Sequence, residues 1–228
     1  RAETGKPLPE ILGGEIIANL ELFDFYIRHA AKLLAPERVP INPINYPGKR
    51  GVIELRPLGV VGVLSSWNYP VALPMRASVP ALAAGNAVAF KPSVDASLIG
   101  RELATVFTET LPKDLLVVGF GGREVSGVVI EHADKINFIG SVSVGKEIAK
   151  RCGERLIPCS TELSGKDAAI VLADAPFERT LNGVLWGAFT NIGQNCVSIE
   201  RLYVEDVIYD RFVPALVNLA DLERLRGR

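Results

Sequence analysis

The sequence contains no long hydrophobic run, few cysteines and almost no net charge, and each of these features excludes a class of protein. Its longest apolar stretches are short or interrupted by proline and glycine, so we expect no segment that spans a membrane. It has no positively charged, apolar leader of the kind that directs secretion. The formal net charge is −1, which disfavours binding to nucleic acid or to an anionic membrane surface.

Cysteine is scarce, and the chain contains only Cys152, Cys159 and Cys196. An odd number of cysteines favours a reduced, cytoplasmic compartment over one disulfide with a free thiol left over. The chain starts at Arg1 without a methionine, in what already reads as a helix, and we therefore expect a fragment of a longer protein.

What the sequence does contain is an alternation of apolar strands and amphipathic helices. The stretch 58–64 is an uninterrupted apolar run, which is typical of a strand buried on both faces of a parallel sheet. Further strand candidates at 87–90, 115–118 and 135–139 are each followed by a helical pattern. This order predicts an α/β fold with a doubly wound parallel sheet that is covered by helices on both faces.

The pattern is less regular at the two ends of the chain. Residues 9–32 have the apolar spacing of one helix, and the Pro-, Asn- and Gly-rich stretch 36–51 predicts an irregular connection. After residue 150 the alternation continues more loosely, and it predicts a last helix over 207–219 with a charged tail over 221–228.

Ligands of parallel sheets bind beyond the carboxyl ends of the strands. Two of the loops at these ends suit a nucleotide. The turn Gly140–Gly145 opens a helix, whose unpaired N–H groups suit phosphate, although a plain strand-to-helix turn fits the spacing equally well. Lys91 closes a strand and could bind ribose hydroxyls or phosphate, or it could be a solvated lysine at a strand end.

Three other side chains suit covalent chemistry. Cys196 follows a polar Gly-Gln-Asn loop and is the best candidate for a nucleophile, whereas Cys152 and Cys159 read as structural. Asn68 could donate to an oxyanion or could stabilise the turn before Pro70. Glu162, near the end of an apolar strand candidate over 157–163, could be a general base, or it could cap the backbone or pair with Lys166.

Taken together, these stretches resemble the aldehyde dehydrogenase superfamily, whose members are NAD(P)-dependent enzymes with a cysteine nucleophile. The resemblance runs from about Glu3 to Phe212 and rests on motifs in the family's order. These motifs are Glu3-Thr4-Gly5-Lys6-Pro7, Pro57-Leu58-Gly59-Val60-Val61-Gly62, Trp67-Asn68-Tyr69-Pro70, Pro80-Ala81-Leu82-Ala83-Ala84-Gly85-Asn86-Ala87, Lys91-Pro92-Ser93, Phe138-Ile139-Gly140-Ser141, Glu162-Leu163-Ser164-Gly165-Lys166 and Gly193-Gln194-Asn195-Cys196.

The resemblance implies a Rossmann-like fold and a role for each motif. Cys196 would attack the aldehyde, Asn68 and the backbone N–H of Cys196 would form the oxyanion hole, and Glu162 would activate the deacylating water. Lys91 would hold the adenosine ribose, and Ser141 would contact the pyrophosphate. The cofactor is NAD or NADP and no metal is implied; the cofactor-binding candidates are Ser66, Trp67, Lys91, Ser93, Val94, Phe138, Gly140, Ser141, Val144, Gly145 and Leu163.

The sequence also departs from the family's pattern. Val94 stands where NAD-preferring members carry a glutamate that repels a 2′-phosphate, so the resemblance implies that NADP is accepted. Ser164 replaces a glycine, and Ile139 replaces a common threonine. Two alternatives stay open, namely a truncated, non-catalytic nucleotide-binding relative and a CoA-acylating relative, although the latter generally lacks the carboxylate found here at Glu162.

The family's usual length predicts the domain organisation. The chain covers a little under half of a typical member. We expect an N-terminal helix and connection over 1–57, a dinucleotide-binding domain over 58–163, and the truncated beginning of a second, catalytic α/β domain over 164–228. The full-length protein would be a homo-oligomer that acts on a small-molecule aldehyde, whose identity depends on substrate-tunnel residues that are largely absent.

Overall fold

The computed structural model describes residues 1–226, with side chains through Asp221. These residues divide into two compact units, Arg1–Glu162 and Leu163–Arg228. Within the described part of the chain, every helix is too short or too polar to cross a membrane.

The first unit begins with helical segments that differ from the single predicted helix. Helix α1 (Leu8–Glu10) leads into a π-helix (Ile11–Ile17), and α2 (Ala18–Leu33) follows without a break. Two adjacent glycines, Gly13 and Gly14, lie in the π-helical segment, and their weak preference for the α-helix permits the wider turns.

The stretch 36–51 also differs from the prediction, because it is not wholly irregular. Strand β1 (Glu37–Val39) pairs with β2 (Gly51–Ile53) in antiparallel register. Strand β1 has only three residues, two of them charged, so it carries neither the alternation nor the apolar run by which a strand is recognised.

A five-stranded sheet forms the centre of the first unit. It consists of β3 (Val60–Leu64), β4 (Ala87–Lys91), β5 (Leu116–Val118), β6 (Lys135–Gly140) and β7 (Cys159–Leu163) in the order β5-β4-β3-β6-β7. Strand β3 pairs in parallel with both β4 and β6. The predicted α/β fold with a parallel sheet is therefore confirmed.

Helices connect the strands and cover the sheet. They are α3 (Ala72–Ala83), a 3₁₀ turn (Val94–Ala96) that leads into α4 (Ser97–Thr110), α5 (Arg123–His132) and α6 (Val142–Arg155). Val63, Val88 and Phe90 are each 1% exposed and pack with Met75 and Phe107 from the helices. Burial on both faces explains the apolar run over 60–64, whereas Leu58 at the start of the predicted strand is 53% exposed and lies outside β3.

The second unit is a smaller α/β element with a core of its own. Strand β8 (Asp167–Val171) pairs in parallel with β9 (Ile199–Val204), and the helices are α7 (Phe177–Phe189) and α8 (Asp206–Arg226). Phe212 is completely buried and meets the ring of Phe177 edge to face at 5.6 Å.

Helix α8 is longer than the sequence predicts. It continues to Arg226 instead of ending at Leu219, so most of the expected charged tail is helical. The last two residues of that tail, 227–228, lie outside the described residues.

A buried amide fixes the entry into β3 and gives a test of the fold. Asn86 is 5% exposed, and its Oδ1 accepts hydrogen bonds from the backbone N–H of Leu58 at 2.6 Å and of Gly59 at 3.1 Å. We expect Asn86→Ala to lower the free energy of unfolding by about 1–3 kcal/mol, because it leaves part-buried donors without an acceptor. Urea denaturation followed by circular dichroism measures the change.

Asn42 provides a matched control for this prediction. Its Oδ1 also accepts from two backbone N–H groups, those of Ile44 and Asn45, but Asn42 is exposed and water can replace it. Asn42→Ala should change the unfolding free energy by less than about 0.5 kcal/mol. Equal losses for the two variants would contradict the account of the Asn86 contacts.

Candidate active site

A cleft of ≈ 410 Å³ lies at the carboxyl ends of β3, β4 and β6 in the first unit. Nine of the predicted cofactor residues line it: Ser66, Trp67, Lys91, Ser93, Val94, Phe138, Gly140, Ser141 and Val144. Gly145 and Leu163 are not among the lining residues. Gly145 is buried inside α6, where its N–H donates to the carbonyl of Ser141, and Leu163 is the last residue of β7, at the boundary between the two units.

The cleft also contains residues that sequence reasoning missed. Arg123 and Ser126 reach it from α5, and Glu147 and Arg151 reach it from α6. Arg123 Nη1 lies 3.8 Å from Glu147 Oε2, in an exposed ion pair. The available signal was weak, because a charged residue in the first turn of a helix is usually only solvated. Arg123 does follow shortly after the predicted strand 115–118, whose end lies at this edge of the sheet.

Lys91 lies half-buried at the end of β4, inside the cleft. Burial lowers the pKa of its ammonium group, whereas the carboxylates of Glu124 and Asp95 act in the opposite direction. Hydrogen bonds from its own backbone N–H and then from that of Gly122, which reaches Glu124 Oε1 at 2.7 Å, lower the pKa of the Glu124 carboxyl. Lys91 therefore has two acidic neighbours and lies within reach of a polar ligand in the cleft.

The turn between β6 and α6 presents a helix N-terminus to the cleft. Ser141 is the N-cap of α6, and its hydroxyl accepts the N–H of Val144 at 3.4 Å. A Cβ atom at Gly140 would lie 2.6 Å from Cζ of Phe138, so a larger residue would displace the ring that lines the cleft. The free N–H groups and partial positive charge of this helix end suit an anionic group such as phosphate.

Asn68 lies in the loop between β3 and α3 and is half-buried. The hydroxyl of Ser66 donates to Asn68 Oδ1 at 2.7 Å. This contact fixes the amide with its oxygen toward Ser66, so that its NH₂ group faces another direction. An oriented amide of this kind is what the oxyanion role requires.

Cys196 is exposed in a loop of the second unit whose backbone conformation is unusual. After α7, three successive residues have a positive φ, namely Asn191 (59°), Ile192 (61°) and Gly193 (70°). Such a conformation costs free energy, above all for the β-branched Ile192, so surrounding contacts must hold it. One of these contacts is made by Asn191, which is 2% exposed and whose Nδ2 donates to the carbonyl of Gln194 at 3.4 Å.

The surroundings of the Glu162 side chain differ from those predicted. It is exposed, and its neighbours Ser160 and Thr161 in β7 are exposed too, so the strand does not form the expected apolar wall. The alternative pairing with Lys166 is not observed among the described residues, because Lys166 Nζ lies 2.9 Å from Glu200 Oε2.

The loop after Glu162 passes close to the nucleophile candidate. Gly165 lies three residues beyond Glu162, and a Cβ atom there would lie 3.1 Å from the carbonyl oxygen of Cys196. A side chain at this position would therefore press on the backbone that carries the thiol.

The other two cysteines belong to the first unit. Cys152 is 1% exposed in α6, and its thiol interacts with that of Cys159 at the start of β7. Burial, and then the proximity of Cys159, raises the pKa of Cys152 to about 11. Cys152 is therefore protonated and inert at neutral pH, because only the thiolate is nucleophilic.

Comparison with known proteins gives a consistent result. The family model described as "Aldehyde dehydrogenase family" matches residues 1–226. The 4,4'-diapolycopene aldehyde oxidase of Methylomonas sp is 38% identical over 219 residues, which are 95% of this chain and 41% of that protein. The chain therefore spans less than half the length of this curated relative.

Two solved structures with the same fold differ in their cofactor. A Mycobacterium tuberculosis aldehyde dehydrogenase complexed with NAD+ superposes with a TM-score of 0.86 at 31% identity, over 95% of this chain and 44% of that one. An E. coli NADP dependent enzyme superposes with a TM-score of 0.87 at 31% identity, over 95% and 45%.

The exposure of the three cysteines predicts an order of reaction with thiol reagents. Iodoacetamide at neutral pH should modify Cys196 first, and Cys152 should react only after unfolding, because it is buried and protonated. Peptide mapping by mass spectrometry after a timed series of additions gives the order. Modification of Cys152 as fast as that of Cys196 in the folded protein would contradict this assignment.

Proposed function

Because the chain belongs to the aldehyde dehydrogenase family, we propose that it supplies the cofactor-binding part and the catalytic residues of an enzyme that oxidises an aldehyde to a carboxylic acid. The main support is the cleft at the carboxyl ends of β3, β4 and β6, where Lys91 and the N-terminus of α6 suit the ribose and the phosphates of a dinucleotide. The resemblance to the family also supports a cytoplasmic homo-oligomer as the working form.

In this proposal Cys196 carries the covalent chemistry. Its thiolate adds to the carbonyl carbon and forms a thiohemiacetal, whose oxyanion accepts hydrogen bonds from the Asn68 amide and the N–H of Cys196. The residues that line the cleft would hold NAD(P)+, which would supply the acceptor for the hydride that leaves this carbon. Cys196 then holds the acyl group as a thioester until water attacks it.

Glu162 completes the cycle as a general base. It removes a proton from water, the resulting hydroxide adds to the thioester carbon, and the carboxylic acid leaves as the Cys196 thiolate is regenerated. A carboxylate at this position favours water over CoA as the acyl acceptor. Glu162 lies in β7, three residues before Gly165, and within the second unit a Cβ atom at Gly165 would lie 3.1 Å from the carbonyl oxygen of Cys196.

A second candidate function follows from the location of the cleft. Its lining residues all belong to the first unit, and the chain spans less than half of its curated relatives. The chain by itself would then bind the nucleotide without turnover. Titration with both nucleotides, followed by an assay of the same chain with an aldehyde panel, separates binding from catalysis.

The main proposal predicts the effect of removing one sulfur atom. In the full-length protein, Cys196→Ala should abolish aldehyde-dependent formation of NAD(P)H and leave the dissociation constant of the nucleotide unchanged, because Cys196 is not among the residues that line the cofactor cleft. Absorbance at 340 nm measures the first quantity, and fluorescence titration measures the second. Cys159→Ala is the control and should keep full activity; substantial activity in Cys196→Ala would refute the proposal.

The proposal for the cofactor rests on Val94, which is 55% exposed and lines the cleft beside Lys91 and Ser93. It adds no negative charge near the ribose, so we propose that NADP is accepted. Val94→Glu should weaken the binding of NADP about tenfold relative to NAD, which corresponds to about 1.4 kcal/mol of like-charge repulsion.

The control for this prediction is Val94→Gln, which has nearly the same size and no charge. It should change the preference between the two nucleotides by less than about twofold. The cofactor assignment would be overturned if both variants shifted the preference equally, or if the unmodified chain rejected NADP.

A further inference from the structure

The N-terminal motif at residues 3–7 has no role in the mechanism proposed above, yet one of its side chains is deeply buried. Lys6 is 3% exposed, and its Nζ lies 2.6 Å from Oε1 of Glu15, which is 2% exposed. Burying an ion pair costs desolvation, so its presence is weak evidence that it stabilises the fold. Its contacts therefore indicate what it holds in place.

The second carboxylate oxygen of Glu15 holds the start of α3. Glu15 Oε2 accepts the backbone N–H of Val71 at 3.0 Å and that of Ala72 at 2.8 Å. These are the first N–H groups of the helix that follows the Asn68 loop, and a carboxylate at a helix N-terminus makes strong, charge-assisted hydrogen bonds. Glu15 thus fixes the backbone three residues after Asn68.

Lys6 holds the ring of Tyr69, the residue next to Asn68. Its Nζ lies 4.2 Å from the centroid of the Tyr69 ring, in a cation–π contact. A Cβ atom at Gly14 would lie 3.4 Å from Cε1 of Tyr69, so the backbone at Gly14 also lies close to the ring. The Asn68 loop is therefore fixed at Ser66 on one side and at Tyr69 and Val71 on the other.

The π-helix brings Glu15 into this position. Ile11–Ile17 adopts the wider turns of a π-helix between two α-helical segments, and Glu15 is its buried residue. The amide of Asn19 donates to the backbone carbonyl of Glu15 at 2.5 Å and ties the segment to α2. Short π-helical insertions are uncommon in proteins, but those that occur often lie at functional sites.

We propose that Glu15 and Lys6 are positioning residues for the oxyanion donor Asn68. This inference rests on the proposed function, because it assigns Asn68 the role of oxyanion donor. The pair touches neither the substrate nor the cofactor in this account. It sets the position of the Asn68 amide through the N–H groups of α3 and through the Tyr69 ring.

A double-mutant cycle in the full-length protein tests whether the pair acts through Asn68. Glu15→Gln should reduce kcat about tenfold to a hundredfold, because a displaced oxyanion donor loses most of its effect, and it should leave the KM of the nucleotide unchanged. In an Asn68→Ala background the same change should reduce kcat less than about twofold. An equal reduction in both backgrounds would overturn the proposal.

Two further variants protect this test from a trivial result. Glu15→Gln leaves Lys6 buried without a counter-ion and can prevent folding. The double variant Lys6→Met/Glu15→Gln removes both charges, and we expect the same result when it is tested in the same cycle.

Glu3→Gln is the matched control. The Glu3 carboxylate accepts the N–H groups of Leu98 and Ile99 at the start of α4, each at 2.9 Å, just as Glu15 does at the start of α3. Any effect of Glu3→Gln on kcat should be equal with and without Asn68.

A second measurement separates this inference from the proposed function. In Lys6→Met/Glu15→Gln, hydrogen–deuterium exchange of the segment 65–72 should be at least about tenfold faster than in the unmodified protein, while exchange in β6 should not change. Unchanged exchange in 65–72 would overturn the positioning role. A full-length protein that oxidises no aldehyde would refute the proposed function, and the exchange data would still decide whether the pair orders this loop.

Discussion

Parallel pairing of β3 with β4 and β6 is the constraint on which the rest of the structure depends. Because the three strands run in one direction, the loops that follow them open at the same edge of the sheet. The loop with Asn68, the strand end with Lys91 and the helix turn at Ser141 follow β3, β4 and β6 in turn. Residues far apart in the sequence thus line one cleft.

The groups at this edge are held by contacts that exist before any ligand binds. Glu15 and Ser66 fix the Asn68 loop, and the Glu124 carboxylate fixes the turn at Gly122 beside Lys91. In the second unit the successive positive φ angles of residues 191–193 set the backbone that leads to Cys196. Preorganised donors and fixed backbones of this kind are what electrostatic catalysis requires, because they need no reorganisation during the reaction.

The sequence was sufficient for the sheet and for most of the cleft. The apolar run 58–64 identifies β3, and the order of strands and helices places the loops at one edge of the sheet. The individual residues that line the cleft were expected from the resemblance to the family. The missed features depend on contacts between distant residues. Glu15 meets Val71 across 56 positions, and a helical pattern over 9–32 contains nothing that distinguishes a π-helix or a buried carboxylate. Strand β1 was missed because its three residues are defined only by their pairing with β2.

The central claim is that Cys196 forms a thioester that Glu162 causes to be hydrolysed. The most direct measurement is the mass of the full-length Glu162→Gln protein after brief reaction with an aldehyde and NAD(P)+, followed by peptide mapping. The account predicts that one acyl group accumulates on the peptide that contains Cys196, in step with one equivalent of NAD(P)H. NAD(P)H formed without an acyl group on that peptide, or an acyl group on Cys152 or Cys159 instead, would contradict it.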